Sequence, residues 1–336
     1  MMKEEANTRY LVRSYEPSDW IRHMEEGTQA VNDFYLPEGP FEKNEMSDTI
    51  YHEGTKVNYH EHSRGFETFF IAKGSVECTI RGKKTVAQAG DIVHLQPYTP
   101  HGFVFLEEGT IWRELFQEIN MQQGILNKNM ILNHYPELYD EPEFMAMYRE
   151  ANGSFTREKE VQDIAPVVPK SEIPEIREPG FSWARHRGDG WELKLKVGRF
   201  ECSGAKEVWE VNLDAGITIE YQDPHPYFEL YYITKGKVKF TVLEGFEDEA
   251  AFVADAGCIV RIPPYAKHTM EVVEDAQMFD NGCEIRLMSM LEDLAAVRAA
   301  RPEELEDPVL KKKFLRKYKC FVTAFYKKEK ISGEDC

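Results

Sequence analysis

The chain carries one short pattern twice, and that repeat constrains its architecture more than any other feature. The first copy reads GFETFFIAKGSVECTI and then AGDIVHLQPYTPHGFVF; the second reads YFELYYITKGKVKFTV and then AGCIVRIPPYAKHTMEV. Glu67 precedes Gly74 by the step that separates Glu229 from Gly236, and Gly90, Pro97 and His101 keep the spacing of Gly257, Pro264 and His268. Self-similarity at this scale means two copies of one structural unit. A chain of 336 residues has room for two separate cores. The extra residues of the second copy fall between Gly236 and Gly257, in a turn region where insertion costs little.

Both copies read as strands. Val76, Cys78 and Ile80 alternate with Ser75, Glu77 and Thr79; Val238, Phe240 and Val242 alternate with Lys237, Lys239 and Thr241. Period-two alternation gives one buried and one wet face. Gly74 and Gly236, each after a lysine, mark tight turns. Short strands between Gly and Pro turns predict an all-β-dominated chain built as antiparallel barrels or sandwiches. The remainder is less regular. Residues 18–26 could start a short helix capped by Ser18 or Asp19, and 137–151 looks helical. Residues 289–300 and 303–328 predict two helices broken near Pro302. The expected boundaries are 1–160 for the first barrel and its N-terminal region, 161–180 as a proline-rich linker, 181–288 for the second barrel, and 289–336 for the C-terminal helices.

The first copy holds a chemically loaded constellation. His60 and His62 are two apart, so on a strand both rings share a face. Glu67 follows, and His101 comes after the Pro97–Pro100 turn with Phe103 and Phe105 on its face. Three imidazoles and a carboxylate suit one divalent ion such as Mn, Fe, Ni, Co or Zn. Four protein ligands leave an octahedral ion two positions for substrate or water. His52, His94 and His186 stand alone and read as packing or surface residues.

HEHSRGFETFFIAKG followed by GDIVHLQPYTPH resembles the two motifs of the cupin superfamily. His60, His62, Glu67 and Gly74 match the first motif; Gly90, Asp91, Pro97 and His101 match the second. The resemblance covers roughly residues 50–117 and, more weakly, 210–274. It implies two jelly-roll barrels, a double cupin, with peripheral helices, a helical C-terminus and the metal inside the first barrel. The second copy departs from the pattern. Counting back from Glu229 reaches His225, with Asp223 where the first His would stand. Either His225, Glu229 and His268 form a residual metal site, or the second barrel has lost its metal and supports the fold or a dimer. The second alternative is preferred, because Pro224 and Pro226 distort any strand through His225.

Three functions compete. The first is a metalloenzyme on a small oxygen-bearing substrate (a keto or hydroxy acid, a sugar or a relative), with the ion as Lewis acid for isomerase or lyase chemistry. Candidate bases are Glu67, Tyr98 and Glu61, and Arg64 could pair with a substrate carboxylate or phosphate, although a loop arginine in water is its plainer reading. The second is an iron-dependent dioxygenase resembling the quercetin dioxygenases, in which Phe66, Phe69, Phe70, Phe103 and Phe105 line a pocket instead of forming core. The third is a non-enzymatic ligand sensor. The polar neighbourhood of Asn58, Glu61, Ser63 and Arg64 favours the first.

A net charge of −18 disfavours nucleic acid and anionic membranes as partners. The basic residues Lys311, Lys312, Lys313, Arg316, Lys317 and Lys319 read as a solvated helical face. Six scattered cysteines make no CxxC pair, so neither a disulfide framework nor a zinc knuckle is expected. The polar start MMKEEANTRY and the lack of a long apolar run place the chain in the cytoplasm as an expectation. A homodimer is plausible from the barrel edges and terminal helices.

Overall fold

A computed structural model describes residues 11–13, 21–25, 28–35, 44–117, 131–151, 153–221, 229–243, 247, 249–262, 265–283 and 287–318. They fall in two compact units: Glu16–Phe181, and Met1–Tyr15 together with Ser182–Cys336.

Strand β1 (Leu11–Arg13) belongs to the second unit. The first unit carries β2 (Ile21–Glu25), β3 (Thr28–Tyr35), β4 (Asn44–Tyr51), β5 (Lys56–His62), β6 (Phe66–Lys73), β7 (Ser75–Ile80), β8 (Lys83–Gln88), β9 (Ile92–Leu95), β10 (His101–Phe105), β11 (Thr110–Gln117), helix α1 (Pro142–Ala151), β12 (Ser154–Thr156), helix α2 (Lys159–Ile164) and β13 (Ile176–Arg177). One sheet runs β13-β9-β6-β11-β4-β3-β2 and the other β12-β5-β10-β7-β8. Each named pair is antiparallel. This is the jelly-roll arrangement, with inward residues of both sheets filling one core.

The alternation seen in the sequence decides that core. Val76, Cys78 and Ile80 meet Phe69, Ile71, Phe103, Phe105 and Trp112 inside it. Phe69 lies 4.2 Å from Trp112 between ring centres, and Phe103 4.7 Å from Trp112. Gly74 at φ +82° joins β6 to β7 so closely over Thr110 that a Cβ would come within 2.4 Å of its Oγ1; no other residue fits there.

Two expectations need correction. Residues 18–26 were expected to start a helix, yet Ile21–Glu25 is strand β2, paired to β3 from Ile21↔Asn32 to Glu25↔Thr28. A helix of that length is marginal alone, whereas a strand beside β3 has its backbone groups partnered. Residues 161–180 are no free linker. Gln162 donates to the carbonyls of Val57 and Phe103, where β5 and β10 slip register. The Lys84 amide donates to Pro166 O, the Val168 amide to Lys84 O and the His94 amide to Glu175 O. Ile173 and Ile176 enter the core, and Lys170 pairs with the buried Asp91. Proline removes a donor but keeps its carbonyl acceptor, so a proline-rich segment can still dock on a sheet.

The second unit adds β14 (Arg185–Gly188), β15 (Trp191–Val197), β16 (Lys206–Leu213), β17 (Thr218–Tyr221), β18 (Glu229–Val242), β19 (Ala250–Asp255), β20 (Cys258–Ile262), β21 (His268–Cys283), helix α3 (Leu287–Ala300) and helix α4 (Pro308–Tyr318). Their sheet runs β1-β20-β18-β21-β16-β15-β14, with β17 on β21 and β19 on β18. Long β18 does the work of β6 and β7 together, and β21 that of β10 and β11. The continuous strand still kinks at Gly236, at φ +75°, where a Cβ would come 2.1 Å from Asp275 O. Helices α3 and α4 bury Met290, Leu294, Val297, Leu310, Phe314 and Tyr318 in this core and are joined through a 3-10 turn at Pro302–Glu306; of the helix expected over 303–328, Pro308–Tyr318 is helical and 319–328 lie outside the described residues. Lys312, Lys313, Arg316 and Lys317 are exposed on α4, and Lys317 reaches Asp293 at 2.6 Å. No helix among the described residues is long and apolar enough to cross a membrane.

Candidate metal centre

The four sequence-selected ligands come from both sheets of the first unit. His60 and His62 lie on β5, His101 on β10 and Glu67 on β6. Strands β5 and β10 are paired with His101 opposite His60, so three rings on one sheet look across the barrel mouth at one carboxylate on the other. The three histidines offer nitrogens that all lie within 4.8 Å of one another. His60 Nε2 is 3.1 Å from His62 Nε2. Glu67 completes the group, with Oε1 3.1 Å from His62 Nε2 and Oε2 3.5 Å from His101 Nε2. His62, Glu67 and His101 are buried, and His60 is half-buried.

The far side of each ring is held. His60 Nδ1 donates to Asn58 O at 2.7 Å and His101 Nδ1 to Thr99 O at 2.8 Å. His62 Nδ1 lies 2.9 Å from Ser154 Oγ. A carbonyl only accepts, so it fixes the proton on Nδ1 and leaves the Nε2 lone pair facing the centre. The His60 lone pair lies 3.1 Å from His62 Nε2, a separation that calls for a proton or a cation between the two nitrogens. Bonds of about 2.1 Å meeting at right angles put neighbouring ligand atoms about 3 Å apart. The donor set therefore fits a borderline divalent ion.

The electrostatics agree. Burial, then the charges of His101 and His62, push His60 well below the ordinary imidazole value. Burial also lowers His101, against the pull of Glu67. Burial works to lower His62 as well, but Glu67 outweighs it and His62 is raised. Burial alone would raise Glu67; His62 and His101 instead bring it down to about 2. His60 and His101 as neutral imidazoles and Glu67 as an ionised carboxylate are thereby in the forms that bind a metal, whereas His62 gives up a proton when an ion binds.

The other nominated residues fare differently. Tyr98 donates its amide to His62 O at 2.7 Å, but its ring is 64% exposed and its backbone sits at φ +60°. Arg64 is exposed on the turn between β5 and β6. Glu61 is buried on the opposite face of β5 from the histidines and is paired with Arg157. Phe69, Phe103 and Phe105 are core, as aromatic stripes usually are. Ser154 escaped the sequence reading: a serine far from its histidine in the chain, on a strand of three residues, carries no local signal.

In the second unit Glu229 and His268 do come together, with His268 Nε2 3.3 Å from Glu229 Oε2. Tyr231 joins them: its hydroxyl donates to Glu229 Oε2 at 2.9 Å and lies 3.3 Å from His268 Nε2. All three are buried. His225 and Asp223 lie outside the described residues. The register places Tyr221 opposite His268, the backbone position His60 holds opposite His101. Asp223, the residue expected at that place, is two positions further along the chain: Tyr221 lies eight residues before Glu229, where His60 lies seven before Glu67.

Residues 48–111 match the cupin domain family. Solved chains of Bacillus subtilis oxalate decarboxylase share the fold. One, from work on the Mn(II) centers of that enzyme, is 16% identical, with 81% of this chain and 76% of that chain covered at a TM-score of 0.51. A mutant of the same enzyme is 17% identical over the same shares, also at 0.51. No curated protein matches this chain in sequence.

Proposed function

We propose that this chain, a double-cupin protein of the cupin superfamily, is a metal-dependent enzyme that acts on a small oxygen-bearing acid by lyase or isomerase chemistry at His60, His62, Glu67 and His101. One observation carries the reading: three imidazole nitrogens and one carboxylate converge, three of the four side chains buried, with each ring's other nitrogen engaged. His60, His62, Glu67 and His101 would hold a divalent ion there, which would supply Lewis acidity toward negative charge developing on a substrate oxygen. The likeness to oxalate decarboxylase supports a small carboxylate, keto acid or hydroxy acid as substrate.

The residues of the chain set the conditions. Phe103, 5.4 Å from His101 between ring centres, and Phe69 beyond it wall the centre on its inner side, where low polarity strengthens charge interactions. Glu67, at about 2, is too weak a base to take a proton near neutral pH and serves as a ligand. Tyr98 and Arg64, at the solvent edge beside His62, are the groups proposed to meet the substrate's outer end. Glu229, Tyr231 and His268 already satisfy one another, so the second barrel is read as a metal-free support.

The test is metal analysis of the purified chain followed by assay of the loaded protein on oxalate and on small keto and hydroxy acids, with and without oxygen. About one divalent ion per chain and oxygen-independent turnover are expected. Substoichiometric metal after loading with each of manganese, iron, cobalt and zinc would sink the proposal, and strict oxygen consumption with iron would move the protein to the dioxygenase class.

A further inference from the structure

We infer that Ser154 is a positioning residue of the metal centre, and that the segment 153–157 is a clasp whose docking on β5 sets how tightly the centre holds its ion; this rests on the proposed metal site. The three histidines are not held alike. His60 and His101 each donate to the carbonyl two residues before them, and so does His268 in the second barrel, to Ala266 O. That device is local and comes with the strand. His62 has no such carbonyl in its role. Its Nδ1 faces the hydroxyl of Ser154, ninety-two residues along the chain, at 2.9 Å.

The segment that delivers Ser154 grips β5 on both faces. The register is antiparallel, with Ser154 opposite His62, Phe155 opposite Glu61 and Thr156 opposite His60. The Ser63 amide donates to Gly153 O at 2.8 Å, and the Arg157 amide to Tyr59 O at 2.9 Å. Residues directly opposite share a face, so Ser154 stands on the metal side. Arg157 takes the other side and pairs with buried Glu61. Gly153, at φ +69°, lets the chain enter this strand tight against the preceding turn: a Cβ there would lie 2.8 Å from Ser63 Oγ. A hydroxyl both accepts and donates, so it can accept a hydrogen bond from His62 Nδ1–H and leave Nε2 to the ion. Without it the ring is free to rotate or to change tautomer.

The experiment is titration of metal-depleted wild type, Ser154→Ala, Ser154→Thr and Gly153→Ala with Co(II), read by visible absorption, beside a melting curve of each metal-depleted protein. Ser154→Ala is expected to lower Co(II) affinity about 10- to 100-fold, the usual effect of losing a partner that orients a ligand, and to alter the cobalt spectrum while melting as wild type does. Ser154→Thr keeps the hydroxyl and is expected to restore most of the affinity. Gly153→Ala is expected to weaken binding in the same direction by displacing the clasp. Tight Co(II) uptake by wild type and equal uptake by Ser154→Ala would overturn the inference alone. So would an Ser154→Ala loss of melting temperature with an unchanged cobalt spectrum. No Co(II) uptake by wild type would overturn the metal site and this inference with it.

Discussion

The two barrels share a backbone and differ at the point where chemistry would occur. Tyr98 and Tyr265 follow the same proline, sit at φ +60° and +59°, and are each 64% exposed. Gly90 and Gly257 lie at φ +94° and +95°. Yet Glu67 faces only histidines in its group, while Glu229 shares His268 with a phenol. Two residues after each glutamate stands Phe69 in one barrel and Tyr231 in the other, so a single oxygen separates an apolar wall from a group that bonds both remaining ligands. Asp91, which accepts the Gln88 amide at 2.8 Å, has Cys258 as counterpart, whose thiol lies 3.0 Å from Asp255 Oδ1. The lesson is that turns and strand pairing tolerate different residues around the glutamate, because the glycines and the apolar alternation hold both barrels alike.

The contrast breaks first at the histidines. His62→Ala is expected to abolish stoichiometric metal and activity, a loss larger than the roughly 100-fold ceiling of an orienting partner, whereas His268→Ala leaves the metal content of the protein unchanged; metal analysis of the two variants side by side decides it. Transplanting the oxygen should come next. Phe69→Tyr places a hydroxyl where it competes for Glu67 and His101, and metal affinity is expected to fall about tenfold, roughly 1.4 kcal/mol, in a competition titration. The reciprocal Tyr231→Phe leaves Glu229 and His268 with a lost partner in a dry interior. It is expected to cost about 1–3 kcal/mol of stability by denaturant melt, without adding a second ion. A further effect concerns protons. His62 is raised by Glu67, so it keeps its proton to a higher pH than an ordinary histidine and an ion must displace it. Metal affinity is therefore expected to fall as pH drops, by up to about one decade per pH unit while one proton is released. Calorimetry in buffers of different ionisation heat measures that release, and an affinity independent of pH would contradict it.

Much of this was legible in the residues. Alternation in SVECTI and KVKFTV and the matched glycine steps named the strands and the turns, since those rules are local. His60 and His62 could be paired because a strand puts i and i+2 on one face, and Glu67 and His101 joined them through the resemblance to the two cupin motifs. Other features were beyond such rules. IRHME reads as a helix start until β3 is beside it. The prolines of 161–180 suggest a linker until Gln162 and Ile173 are seen to dock. The exposed ring of Tyr98 and the tie between Glu61 and Arg157 changed the roles given to those candidates.

By itself, then, the sequence determined two like β units and the polar set capable of holding one ion. Tertiary structure alone decided which nitrogen of each ring faces inward, that Ser154 reaches His62, and that Tyr231 occupies the partners of a would-be metal. The physical reason is range. Side-chain periodicity and turn preference act over a few residues, while hydrogen-bond partners and register join residues dozens of positions apart and exist only once both sheets are paired.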